Sequence, residues 1–197
     1  LADKVIVLDP SSRADIAEFT FDLAQKIEGR LIALGVSVFL TRGLTTAPSE
    51  DERIAFTNNT SADLLISLSV DRHSSGDANG LATYFYGSET HGIHSIVGEK
   101  FATIVQRELI ARTDLLNNRT HAKTWNLLRL TKAPAVMLDI GYISNPKDSS
   151  RLADPNFRDV IAEGLVVAIQ RMYLSAEQDA KTGTLRLEDL RKAGLRK

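Results

Sequence analysis

Three features of the sequence predict an α/β fold. Short apolar runs alternate with long amphipathic stretches along the whole chain. The apolar runs are rich in Val, Ile and Leu and continuous, as strands covered on both faces should be. Between them the helical stretches repeat their apolar residues at steps of three and four. The expected architecture is a central sheet with helices on its faces.

Taken in order, Lys4 to Leu8 (KVIVL) reads as a first strand. From Asp15 to Leu34, the spacing of Ile16, Phe19, Leu23, Ile27 and Leu31 gives an amphipathic helix stopped at Gly35. Val36 to Leu40 is the second strand, Glu50 to Asn59 a short helix, and Asp63 to Val70 (DLLISLSV) a third buried strand. The Ser, Gly, Asp and Asn content of Asp71 to Gly80 marks a loop. A fourth strand follows at Leu81 to Tyr86 and a long helix at His94 to Arg112. Asn126 to Leu130 and Ala135 to Ile140 read as the fifth and sixth strands, with Trp125 beside the fifth expected in the core. Asn156 to Leu174 closes the domain as a helix with Phe157, Val160, Ile161, Leu165, Ala168 and Met172 on one face.

Composition excludes several classes. The chain has 197 residues, 43% of them apolar, which suits one globular domain with a real core. Its 24 basic and 25 acidic residues nearly cancel, so no field is available to hold nucleic acid. No run approaches the roughly 18 apolar residues of a membrane span, and no signal peptide precedes the first strand. A start directly in a strand reads as a domain cut from a longer protein. The absence of cysteine removes thiolate metal sites and fits a reducing compartment. Residues 1–174 read as the domain. Residues 175–197 carry six basic and four acidic side chains and no aromatic, and read as a C-terminal regulatory tail.

Five segments in order resemble the zinc-dependent N-acetylmuramoyl-L-alanine amidases, which cut the amide joining glycan to stem peptide in bacterial walls. They are Val5 to Pro10 (VIVLDP), the helix entered at Glu18, Leu40-Thr41-Arg42, Ala62 to Ser69 (ADLLISLS) and Pro134 to Asn145 (PAVMLDIGYISN). Arg53 and Asn58 also fall where that family has an arginine and an asparagine. The resemblance implies a three-layer amidase-like domain with a mostly parallel, six-stranded sheet. It also implies where a zinc site would be, and there the chain departs from the family. Ser12 stands where Asp-Pro-Gly-His-Gly supplies the first ligand, and Ser69 where a histidine ends the Ala-Asp-Leu strand. Glu18 keeps the glutamate ligand, and Asp139 takes the place of the catalytic glutamate with one methylene fewer. A serine hydroxyl is a poor zinc donor, so the expectation is a pseudoenzyme with its zinc lost and no catalytic residue.

Other readings stay open beside it. Glu18 could be only a first-turn carboxylate favoured by the helix dipole, and Asp139 a strand-end hydrogen-bond acceptor. His91 and His94, with His73 or His121, could form a relocated metal site and make the chain an active amidase. Retained Arg53, Asn58, Asn145 and Asp139 also fit a muropeptide-binding sensor. The degenerate site combined with the run Lys181-Thr182-Gly183-Thr184 resembles the actinobacterial, regulator-like members of the family. That resemblance implies a cytoplasmic regulator of peptidoglycan precursor synthesis, drawn to the membrane by its partners and switched by phosphorylation of Thr182 and Thr184. The implied partners are a Ser/Thr protein kinase, a forkhead-associated domain protein, the UDP-N-acetylglucosamine enolpyruvyl transferase and a lipid-linked precursor flippase.

Overall fold

The computed structural model describes residues 1–88 and 90–182, with side chains through residue 174. In chain order the elements are β1 (Val5–Pro10), α1 (Ala17–Ala33), β2 (Ser37–Leu40), α2 (Glu50–Asn59), β3 (Leu64–Asp71), β4 (Leu81–Ser88), β5 (Ile93–His94), α3 (Ile96–Arg112), β6 (Asn117–Lys123), α4 (Asn126–Leu130), β7 (Ala135–Tyr142), α5 (Pro146–Ala153) and α6 (Pro155–Thr182). The strands form one seven-stranded sheet in the order β2-β1-β3-β7-β4-β5, with β6 also paired to β4. Pairing is parallel for β1 with β2, β1 with β3, β3 with β7 and β4 with β6. It is antiparallel where β4 meets β7 and β5. The expected mixed, mostly parallel sheet is present. Among the described residues no helix is long and apolar enough to cross a membrane.

Because side chains alternate along a strand, each strand divides its residues between two faces. Ile6 and Leu8, Leu64, Ile66 and Leu68, Leu81 and Phe85, and Val136 and Leu138 point to one face. There they meet Leu23, Ile27 and Leu31 of α1, Phe101 and Val105 of α3, and Ile161, Leu165 and Ile169 of α6. This is the main core. The opposite face holds a much smaller cluster of Val7, Leu65 and Ala135 with Ile54 of α2 and Leu127 and Leu128 of α4. Short α2 and α4 cover only part of it.

Two expectations are corrected here. Asn126 to Leu130 is the helix α4, not a strand, and Trp125 caps it at 41% exposure rather than lying in the core. Five residues with two buried leucines are too few to show a helical period. The additional strands are β5, which takes His94 from the start of the expected helix, and β6, whose NNRTHAK sequence is polar because it lies at the sheet edge, exposed at alternate positions. A further helix, α5, starts at Asn145, whose side chain accepts from the Lys147 and Asp148 amides, with Pro146 in its first turn. The closing helix α6 extends to Thr182, eight residues past the Leu174 end expected from sequence.

Candidate functional site

The thinly covered face becomes polar toward the C-terminal ends of the parallel strands. By alternation Asp9 follows Val7, Ser67 and Ser69 follow Leu65, and Asp139 follows Met137. The register places Asp9 opposite Ser67 and Ser69 opposite Asp139. Asp139 is in turn opposite Ala82 of β4, so Tyr84 lies diagonally across from it on the same face. Four separate strands therefore bring Asp9, Ser69, Asp139 and Tyr84 into one row.

Asp9 is fully buried and its carboxylate is satisfied on all sides. Arg53 Nη1 donates to Oδ2 at 2.6 Å, Ser67 Oγ to Oδ2 at 2.8 Å and Thr41 Oγ1 to Oδ1 at 2.6 Å. Arg53 thus holds the end of β1 rather than facing a ligand. Arg42 does related work on the turn that follows. Its buried guanidinium donates to the carbonyl oxygens of Pro10, Ser11 and Ala17 at 2.8, 2.9 and 2.7 Å. Burial pulls its pKa below the ordinary arginine value, against the opposing charge of Asp9. Asn58 ties α2 to the segment after α4, donating to Leu130 O at 3.1 Å and accepting from Lys132 N at 2.8 Å. Asn145 caps α5 and donates to Gly76 O at 2.7 Å. All three family-like residues, Arg53, Asn58 and Asn145, act here as supports.

The Asp139 carboxyl is strongly perturbed by its surroundings. Burial first, and then the charge of Asp71, push its pKa up to about 6, while the Tyr84 and Ser69 hydroxyls and Arg13 draw it down. Burial and Asp139 raise the Tyr84 hydroxyl in turn. Tyr142 is raised by burial and then by Asp71. Of these groups the Asp139 carboxyl has a proton to exchange near neutral pH, while both phenols are pushed above their ordinary value of 10 and keep theirs.

Ser12 lies half-buried just past β1, and Glu18 is exposed in the first turn of α1. Between β1 and β3 a guanidinium crosses the strand ends: Arg13 Nη2 donates to Val70 O at 2.7 Å and Nε to Asp15 at 2.6 Å. Arg72 donates to the other oxygen of Asp15 at 2.7 Å. The hydrogen bond from Arg13, partly opposed by desolvation and joined by Arg72, keeps the Asp15 carboxyl below its usual range.

These residues do not make a zinc donor set. At the positions where the resemblance calls for imidazole ligands Ser12 and Ser69 offer neutral hydroxyls, leaving Glu18 as the one strong donor of that set. Among the described residues no three His, Cys, Asp or Glu side chains gather as a metal site elsewhere. The four histidines are exposed and engaged locally. His73 Nδ1 accepts from Ser75 N, His91 meets Ser88 Oγ at 3.0 Å, His94 meets Glu99 at 3.0 Å and His121 meets Asn118 O at 2.7 Å. His91 and His94 thus stand apart from the row that contains Asp139. Thr182 is the last residue of α6, and Thr184 lies outside the described residues. Tyr84, Tyr142, Asp71 and Arg13 are the site residues that sequence reasoning passed over. The apolar alternation of β3 and β4 carried the signal for Tyr84 and Asp71, since it fixes which face they share, whereas Tyr142 reaches Asp71 through the register shift after Ser69 that alternation does not reveal.

Comparison with known proteins places these strand ends in a family. The pattern defining Amidase_3, N-acetylmuramoyl-L-alanine amidase, matches residues 14–171, so β1 and Ser12 lie before the matched stretch. The chain is 42% identical over 186 residues to the N-acetylmuramoyl-L-alanine amidase CwlM of Mycobacterium tuberculosis, covering 94% of this chain and 46% of that protein. It is 29% identical over 189 residues to the probable cell wall amidase LytH of Staphylococcus aureus, covering 89% and 60%. The chain therefore spans about half the length of these relatives. Among solved structures, the catalytic domain of the amidase CwlV from Bacillus (Paenibacillus) polymyxa superposes with a TM-score of 0.76 at 26% identity, over 87% of this chain and 98% of that one. The N-acetylmuramoyl-L-alanine amidase of Clostridium difficile 630 shares the fold with a TM-score of 0.79 at 21% identity, over 90% and 100%. The family pattern covers most of the chain, and the chain belongs to the N-acetylmuramoyl-L-alanine amidase family.

Proposed function

We propose that this chain is an amidase-fold domain that no longer hydrolyses amides and regulates peptidoglycan precursor synthesis through protein contacts. The observation that carries this reading is the pair of hydroxyls, Ser12 and Ser69, at the two positions where the family resemblance calls for histidine ligands. Without a bound metal nothing at the site polarises an amide carbonyl or lowers a water's pKa, and a carboxyl at Asp139 alone is a weak base for amide cleavage. Similarity to a relative named as a probable cell wall amidase supports the cell-wall setting.

In this reading the segment 175–197 carries the switch. Phosphate on Thr182 or Thr184 adds about −1.5 to −2 charge and three acceptor oxygens beside Lys181 and Arg186. A Ser/Thr kinase would write the mark and a forkhead-associated domain would read it, with the enolpyruvyl transferase and the precursor flippase as targets inside the cell. An active amidase is the second reading, favoured by the raised pKa of Asp139 and by the names of the relatives.

One experiment separates them. Metal content by mass spectrometry on protein purified without chelator is combined with a muropeptide amide-cleavage assay in added zinc. The regulator reading expects less than stoichiometric zinc and no release of stem peptide. About one zinc per chain with turnover abolished by Glu18→Ala would overturn it.

A further inference from the structure

The two free edges of the sheet are built differently. β6 carries Arg119 in the left-handed region at φ 67°, at a register shift against β4, and ends on Lys123. Bulges and charges are the means by which an edge is kept from pairing with another chain. β2 has neither. From Leu31 to Thr41 the chain contains no charged residue.

Backbone geometry shows what this edge offers. The Ser37 and Thr41 amides donate to Lys4 O and Leu8 O at 2.9 and 3.0 Å, so those residues face β1. In a parallel strand alternate residues turn to alternate neighbours, which leaves the N–H and C=O of Val38 and Leu40 directed outward. Among the described residues β2 pairs only with β1. Around it Phe39 is 44% exposed, Ile32 at the end of α1 56%, Leu34 38%, and Leu44 beyond the strand 65%. An open, uncharged strand flanked by apolar side chains needs another strand of the same character.

We propose that β2 pairs antiparallel with β2 of a second copy of this chain, about a twofold axis at Phe39. Antiparallel pairing then sets Val38 against Leu40 of the second copy in rings that hold about four main-chain hydrogen bonds. Phe39 falls opposite Phe39 of the second copy in the closer, non-hydrogen-bonded position, where aromatic pairs are favourable. A twofold contact repeats the same surface, so any charge on the edge would meet itself. This edge has none, and the net charge of −1 adds little repulsion between copies. The strand is only four residues long, so the interface is small and the dimer forms in proportion to concentration.

Sedimentation equilibrium on the chain from about 1 μM to about 1 mM reads the association. The expected mass rises toward twice the 21.6 kDa of one chain. F39K places like charges opposite each other across the axis and holds the protein at one chain mass, as does F39E. An equal mixture of the F39K and F39E chains associates again. T120K, on the other edge, associates like the parent. Hydrogen exchange on the unmodified chain needs no variant: the Val38 and Leu40 amides gain protection as concentration rises. A chain monomeric across the whole range overturns the proposal. So does association that survives F39K, a mixture that stays apart, or Val38 and Leu40 protection that is independent of concentration.

Discussion

Replacing Asp139 with asparagine should stabilise the protein, and do so only where the carboxyl is ionised. The side chain keeps its size and can still accept from the Tyr84 and Ser69 hydroxyls; what it loses is a charge held in a buried setting near Asp71. The folded protein raises this carboxyl from 3.8 to about 6. A raised acid binds its proton more tightly when folded, so between these values the folded state carries more protons than the unfolded one. Stability then falls as pH rises through that window. The cost is nearly absent below the unfolded value of 3.8 and fully developed above the folded value. At 1.36 kcal/mol per unit the penalty reaches about 3 kcal/mol at pH 7.5 and about 1 kcal/mol at pH 4.5. For a chain this size about 2 °C to 4 °C of Tm accompanies each kcal/mol. Thermal unfolding of Asp139→Asn and the parent at both pH values is the assay. A gain at pH 7.5 that is roughly threefold the gain at pH 4.5 is expected. Equal shifts at the two pH values, or destabilisation at pH 7.5, would refute the argument that the charge is what costs.

Arg53→Ala leaves the buried Asp9 carboxylate with two hydroxyl donors and no hydrogen-bonded cation, which should cost about 3 kcal/mol in urea unfolding. Adding Asp9→Asn to it should recover part of that loss, a coupling read from the double-mutant cycle. Burial pushes the Glu108 carboxyl up, but Arg112, Arg171 and Arg107 more than reverse it, so it titrates below its ordinary 4.5. Stability from a lowered acid is present above the unfolded value and lost as pH falls through the lowered folded value, so Glu108→Gln should be weaker than the parent at pH 7 and the difference should shrink as pH falls below 4.5. Gly80→Ala should lose at least about 2 kcal/mol by chemical unfolding, since φ is 103° and the new methyl would collide with the Leu116 backbone carbonyl.

The sheet and its main helices are legible in the sequence because each has a strong period or an unbroken apolar run. α1 shows its face through Phe19, Leu23, Ile27 and Leu31, all buried as expected. β1, β3 and β7 show themselves by β-branched runs that two helix layers cover. β6 is hidden because an edge strand with polar neighbours needs no apolar pattern, and α4 is misread because five residues cannot display a helical repeat. At the site, Asp139 and Ser69 are found from sequence, whereas Tyr84 and Arg13 are not. Their place depends on strands 55 residues apart meeting in register and on a guanidinium folding back to Val70. Phe39 is likewise silent in sequence, since only the strand order reveals that β2 ends the sheet.

The unequal cover of the two sheet faces separates what holds the molecule together from what it can do. The residues whose loss would open large cavities, such as Phe101, Leu23 and Leu165, lie on the face packed by α1, α3 and α6. The row of Asp9, Ser69 and Asp139 looks the other way, toward the face whose apolar cluster is small. A fold divided in this manner lets the residues of one face change while the packing that fixes the architecture stays on the other.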